Sequence, residues 1–94
     1  MNIIISTKHT RKTDKYITMW RPNDAGYTQC VTEAGRYLNP KPGYHDSENA
    51  FPVSLNTIKS LEVMDKVNGY NTWVVPNNKG VWLALNQPEI AEKF

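Results

Sequence analysis

A two-residue alternation of apolar and polar positions marks Tyr16–Trp20, and a three-residue spacing of apolar positions follows residue 54. Asn2 to Ser6 is a β-branched run that predicts a first strand. Thr7 to Lys15 is polar and basic with no period and reads as a loop or the tip of a hairpin. Tyr16 to Trp20 alternates, with Tyr16, Thr18 and Trp20 on one face and Ile17 and Met19 on the other. The aliphatic face is expected in the core, which leaves the Tyr-Thr-Trp face at least partly free to meet something else. Pro22-Asn23-Asp24-Ala25-Gly26 is a strong turn signal: proline fixes φ, Asn and Asp tolerate left-handed geometry, and Gly26 supplies any further positive φ. Tyr27 to Val31 then returns as a third strand, antiparallel to the second. Thr32 to Gly35 reads as one helical turn, capped by Thr32 and stopped by Gly35.

Asn39 to Pro52 contains Pro40, Pro42, Gly43 and Pro52 and reads as a long loop, a type of segment that often carries function. Leu55, Ile58, Leu61 and Met64 recur every third residue behind a Ser54 N-cap. They predict a helix over residues 55–67, ended by Asn68-Gly69. Residues 72–75 and 81–85 read as two strands around a Pro76–Gly80 hairpin loop, with Trp73 and Trp82 as a cross-strand or core pair. Pro88 to Phe94 is helix-prone, with Pro88 at the first helical position. The expected fold is a single α+β domain over residues 1–94. An antiparallel sheet of four to five strands, in the order β-β-β-α-β-β, carries one main helix on a face.

Charge changes the picture in one place. Residues 1–21 hold Lys8, Arg11, Lys12, Lys15 and Arg21 against Asp14, a local +4, while the remainder holds six basic and eight acidic groups. A basic first third suits phosphate or an acidic surface, or is a solvated loop. The net charge of +2 is too small to put nucleic-acid binding first. Cys30 is the single cysteine, so no disulfide forms within the chain, and a reducing cytoplasm is expected. No signal-peptide pattern and no membrane-spanning apolar run is present, so no membrane partner is expected. The Asn2–Ser6 strand reads as an exposed edge that could pair with a second copy of the chain.

Catalytic chemistry finds little footing. His9 and His45 are the only histidines, and neither has metal-ligand spacing, so neither a metal nor a cofactor is expected. Cys30 with His45 is the one conceivable nucleophile–base pair, and a small strand residue is the simpler role for that thiol. Asp46 and Glu48 lie in a polar loop, and neither Gly26-Tyr27 nor Gly35-Arg36 has the spacing of a phosphate-cradling loop. A non-enzymatic binder is the expectation. The candidate contact residues are Trp20, Arg21, Tyr27, Arg36, Tyr37, Tyr44 and His45, which offer flat aromatic faces and guanidinium forks. The residues leave open whether Trp20 and Tyr27 are core aromatics and the arginines pair with Asp24 and Glu33.

Residues 20–28, Trp-Arg-Pro-Asn-Asp-Ala-Gly-Tyr-Thr, followed by Glu33-Ala34-Gly35-Arg36-Tyr37, resemble a motif of small uncharacterised phage and prophage proteins. The likeness covers about residues 15–38 and, more loosely, Gly43-Tyr44 and Phe51-Pro52-Val53; Cys30-Val31 departs from the pattern. It brings no catalytic residues. It implies a phage protein acting in the host cytoplasm as an inhibitor of a host protein, such as a defence or transcription component. The alternative partner is a nucleotide-like small ligand that the chain sequesters.

Overall fold

The computed structural model describes residues 1–94 and is α+β. Strand β1 (Asn2–Ser6) lies inside a four-stranded antiparallel sheet. β2 (Met19–Trp20) flanks it on one side and β4 (Ala50–Ser54) on the other, and β3 (Tyr27–Thr28) lies beyond β2. The isoleucine run explains that interior position, because Ile3, Ile4 and Ile5 are all fully buried and a strand covered on both faces must be apolar on both. Strand 2–6 is therefore no edge, and the expected pairing of that strand with a second copy is ruled out. Ile3 and Ile5 join Ile17, Met19, Val53 and Ile58 in the principal core, while Ile4 alternates to the face that carries Trp20.

The long loop read over residues 39–52 ends early, because Ala50-Phe51-Pro52-Val53-Ser54 forms β4. Proline fits there for a geometric reason. Asn2 N–H donates to Tyr37 O and Ser6 N–H to Thr18 O, so the even positions of β1 direct their backbone groups away from β4. Ile4 therefore faces Pro52 as a non-hydrogen-bonded pair, and the missing N–H of Pro52 lies on the outer rim of the sheet.

Helix α1 (Leu55–Leu61) starts as expected, with Ser54 Oγ accepting from Thr57 N–H at 3.2 Å. It buries Ile58 against the sheet. It ends at Leu61, six residues before Val67, and Glu62 that follows has an extended backbone. Val63–Val67 is instead strand β5, paired with β6 (Tyr70–Val74) as a separate two-stranded hairpin. Asn68 (φ 53°) and Gly69 (φ 86°) form its two-residue turn. Asn-Gly adopts that paired positive-φ geometry more readily than other dipeptides, so it closes a hairpin here and does not cap a helix. Trp73 faces Met64 across this hairpin and is not paired with Trp82. The Tyr16 hydroxyl donates to the Asp65 carboxylate, tying the hairpin to the body. Residues 75–77 continue by pairing with 15–17, through Ile17 N–H to Val75 O and Asn77 N–H to Lys15 O.

Residues 81–85 are not a strand. Asn78 Oδ1 accepts from Val81 N–H at 2.9 Å and starts helix α2 (Lys79–Ala84). Val81, Trp82 and Leu85, one helical face, enter the core. Trp82 is anchored by its indole N–H, which donates to Asn77 Oδ1 at 2.7 Å, while Asn77 Nδ2 holds the carbonyls of Arg11 and Asp14. Helix α3 (Pro88–Ala91) begins at Pro88 as expected. No helix is long and apolar enough to cross a membrane.

Candidate functional site

Because Tyr27 lies directly opposite Trp20 in the β2–β3 ladder, their rings share one face and meet edge-on, with centroids 6.1 Å apart. The segment after Gly35 then folds over this face. Asn2 and Tyr37 bridge in antiparallel fashion, and the following loop brings Tyr44 to 5.3 Å and His45 to 5.2 Å from Trp20. Tyr37 and Tyr44 flank His45 at 4.9 and 5.0 Å, and His9 from the first loop packs on Tyr27 at 4.1 Å with the rings tilted by 39°. Five of the seven expected site residues, Trp20, Tyr27, Tyr37, Tyr44 and His45, are thus one aromatic cluster.

The inner members are held by hydrogen bonds. His45 is 3 % exposed. Its Nδ1 accepts the Lys41 N–H at 2.8 Å, which leaves the ring hydrogen on Nε2 to donate to Asp24 Oδ1 at 2.8 Å. With both nitrogens engaged, His45 is not available as a base for Cys30. The Tyr37 hydroxyl donates to Arg21 O at 2.5 Å and accepts from Asp24 N–H at 3.1 Å. Burial pushes the Tyr37 hydroxyl pKa up and the Asp24 carboxylate adds to this, against the Asp24 N–H, which pulls it down. These bonds pin the 22–26 turn, where Asn23 (φ 59°) and Asp24 (φ 57°) are both left-handed. Gly35 fits beneath. A Cβ there would lie 2.5 Å from Tyr37 Cε1 and 2.9 Å from Pro22 Cα. Its role is close packing, and the helical turn it was expected to stop runs over Val31–Glu33 with Cys30, not Thr32, at the N-cap and no side-chain cap. That turn's Glu33 and Ala34 N–H groups bond to Cys30 O.

The outer members are Tyr27 and Tyr44, 44 % and 52 % exposed. Tyr16 and Thr18, expected on a partly free face, are buried. Trp20 is half-buried, and its indole N–H is buried with no acceptor.

The two arginines are not free forks. Arg21 Nε donates to Tyr27 O at 3.1 Å and its Nη2 lies 3.5 Å from Glu33 Oε1. Arg36 Nη1 donates to the carbonyls of Val31 and Ala34, at 2.9 and 2.8 Å, which ties that 3-10 turn. Beside Arg21 the surface dips into a polar groove of about 330 Å³ that includes Tyr27, Gln29, Cys30 and Glu33.

His9 is the contributor that pattern reading misses, since nothing in an aperiodic polar loop marks it as a packing residue. Asp24 reads as a turn residue, and its role as the His45 acceptor has no sequence signal. No group of three or more His, Cys, Asp or Glu side chains converges to hold a metal ion. No protein-family model matches the chain, and no curated protein or solved structure matches it.

Proposed function

We propose that this chain is a small non-enzymatic binding protein whose partner is another protein, docked on the aromatic surface formed by Tyr27, Trp20 and Tyr44. The observation that carries the reading is the pairing of exposure with rigidity: two half-exposed tyrosines stand edge-on against a tryptophan whose surroundings are pinned by Tyr37, His45 and Asp24. Rigid aromatics lose little conformational freedom on docking, and such residues dominate the energetics of protein interfaces. A phage setting, with a host defence or transcription protein as the inhibited target, rests on the resemblance of residues 15–38 to small phage and prophage proteins.

A nucleotide-like ligand fits this surface less well. The rings meet edge-to-face, which leaves no slot between parallel faces, and Arg21 is already engaged by Tyr27 O and Glu33.

The test is affinity capture from host lysate with the wild-type chain and with Tyr27→Ala/Tyr44→Ala, read by quantitative mass spectrometry. Both side chains are outer members of the cluster, so the double variant keeps its fold by circular dichroism. One host protein should be retained by the wild type and lost by the variant, with affinity down about tenfold or more. Equal capture by a folded double variant would refute the surface.

A further inference from the structure

The largest cleft in the molecule, about 390 Å³, lies apart from Trp20, Tyr27 and Tyr44, at the basic first loop. Its volume falls within the roughly 300–1,000 Å³ range of small-ligand sites. One wall is the loop after β1, which contributes Lys8 and Lys12; the other is the end of α3 and the residues that follow, with Ile90, Lys93 and Phe94. Trp82 lies in the floor, immobilised by its bond to Asn77.

The neutral polar groups of the cleft are largely matched within the chain. Thr7 Oγ1 donates to Glu48 O, Thr10 Oγ1 donates to Ser6 O and accepts Thr18 N–H, and Asn77 holds Trp82, Arg11 and Asp14. The ammonium groups of Lys8, Lys12 and Lys93 are not: none takes part in an ion pair. Glu48 is the only side-chain carboxylate in the lining. Three lysines without an ion-pair partner against one side-chain carboxylate favour an anion, while Ile90 and Phe94 offer an apolar wall to something flat.

From this juxtaposition we infer that the cleft is a binding site for a nucleoside di- or triphosphate, with the phosphates among Lys8, Lys12 and Lys93 and the base against Ile90 and Phe94. A concave site bounded by two walls fits a small ligand better than a polynucleotide, which asks for an open charged track. The cleft shares no lining residue with the protein-docking surface, so the two sites are tested by different variants.

Isothermal titration calorimetry tests it with four probes at fixed salt: ATP, adenosine, inorganic tripolyphosphate and a single-stranded oligonucleotide. ATP should bind one-to-one, and adenosine and tripolyphosphate each at least about tenfold more weakly. Lys8→Ala, Lys12→Ala and Lys93→Ala should each weaken ATP about tenfold, the loss expected for one charge-assisted contact. Phe94→Ala should weaken ATP and leave tripolyphosphate unchanged. The lysines are exposed, so the single variants keep the wild-type unfolding midpoint. No ATP binding at millimolar concentration overturns the site, and so does ATP binding that survives the lysine changes. Tripolyphosphate binding as tightly as ATP, or the oligonucleotide displacing ATP at equal concentration, overturns the ligand class.

Discussion

Replacing His45 with Ala tests whether a buried imidazole holds the 39–49 segment down over the sheet. The substitution deletes one hydrogen bond with a backbone amide, Lys41 N–H to Nδ1, and one with a carboxylate, Nε2–H to Asp24. Net worths are about 1 kcal/mol for the first and about 1.5–3 kcal/mol for the second. Asp24 is exposed and regains water, which places its share at the low end. Edge contacts to Trp20, Tyr37 and Tyr44 go as well, each worth about 0.5–1.5 kcal/mol and not additive within one cluster. The expected loss is about 3 kcal/mol, or some 12–24 °C in Tm at about 4–8 °C per kcal/mol for a domain of this size. Urea unfolding followed by tryptophan fluorescence measures it, and an unchanged m-value assigns the effect to the folded state. Asp24→Asn is the companion: it keeps an oxygen acceptor for Nε2–H and should cost less than half as much. A His45→Ala loss below about 0.5 kcal/mol would mean that the loop is held by something other than this clasp.

Asn77→Ala removes the acceptor of the Trp82 indole and two donors to the first loop; the expected cost in denaturant melts is about 2–3 kcal/mol, because a buried N–H is left unmatched. Gly35→Ala drives a methyl into Tyr37 and the Pro22 backbone, for a loss of about 1–3 kcal/mol. A neutral result there would show that the turn shifts freely. The Tyr16–Asp65 bond makes stability depend on pH at both ends. The Tyr16 hydroxyl holds Asp65 below its ordinary 3.8, so the unfolded chain takes up that proton first and the contribution is lost as pH falls through the folded value. Hydrogen bonding to Asp65 raises Tyr16 above its ordinary 10.0; that contribution is intact at neutral pH and fades as pH rises past 10.0 toward the folded value. Asp65→Asn should flatten both limbs of a stability–pH profile, and a profile identical to wild type would remove the coupling.

The parts of the fold that local chemistry dictates were legible in the chain. Three consecutive isoleucines announce a strand, Ser54 announces a helix start, and the Pro22–Gly26 turn sets Trp20 opposite Tyr27. What is not legible depends on competition between signals. Leu55 to Val67 carries a helical spacing, yet Asn68-Gly69 also fits a hairpin, and the β-branched Val63 and Val67 side with the hairpin. Val81 to Leu85 suits a strand or a helix, and the Asn78 cap, a single hydrogen bond, decides for the helix. At the site, the aromatic residues can be named from sequence because so many flat side chains crowd one stretch. The arginines mislead, since a guanidinium that ties a 3-10 turn reads the same as one that awaits a phosphate. The basic cleft unites residues 7–12 with 90–94, a juxtaposition that only tertiary folding creates.

The proline in β4 bears on how the molecule behaves in a crowd. An incoming strand seeking to extend the sheet at that border would need an amide hydrogen from position 52, and there is none to give. Growth by strand addition is interrupted midway along β4, so self-association at that border would have to depend on side-chain contacts, and concentrated solutions should resist ribbon-like aggregation seeded there.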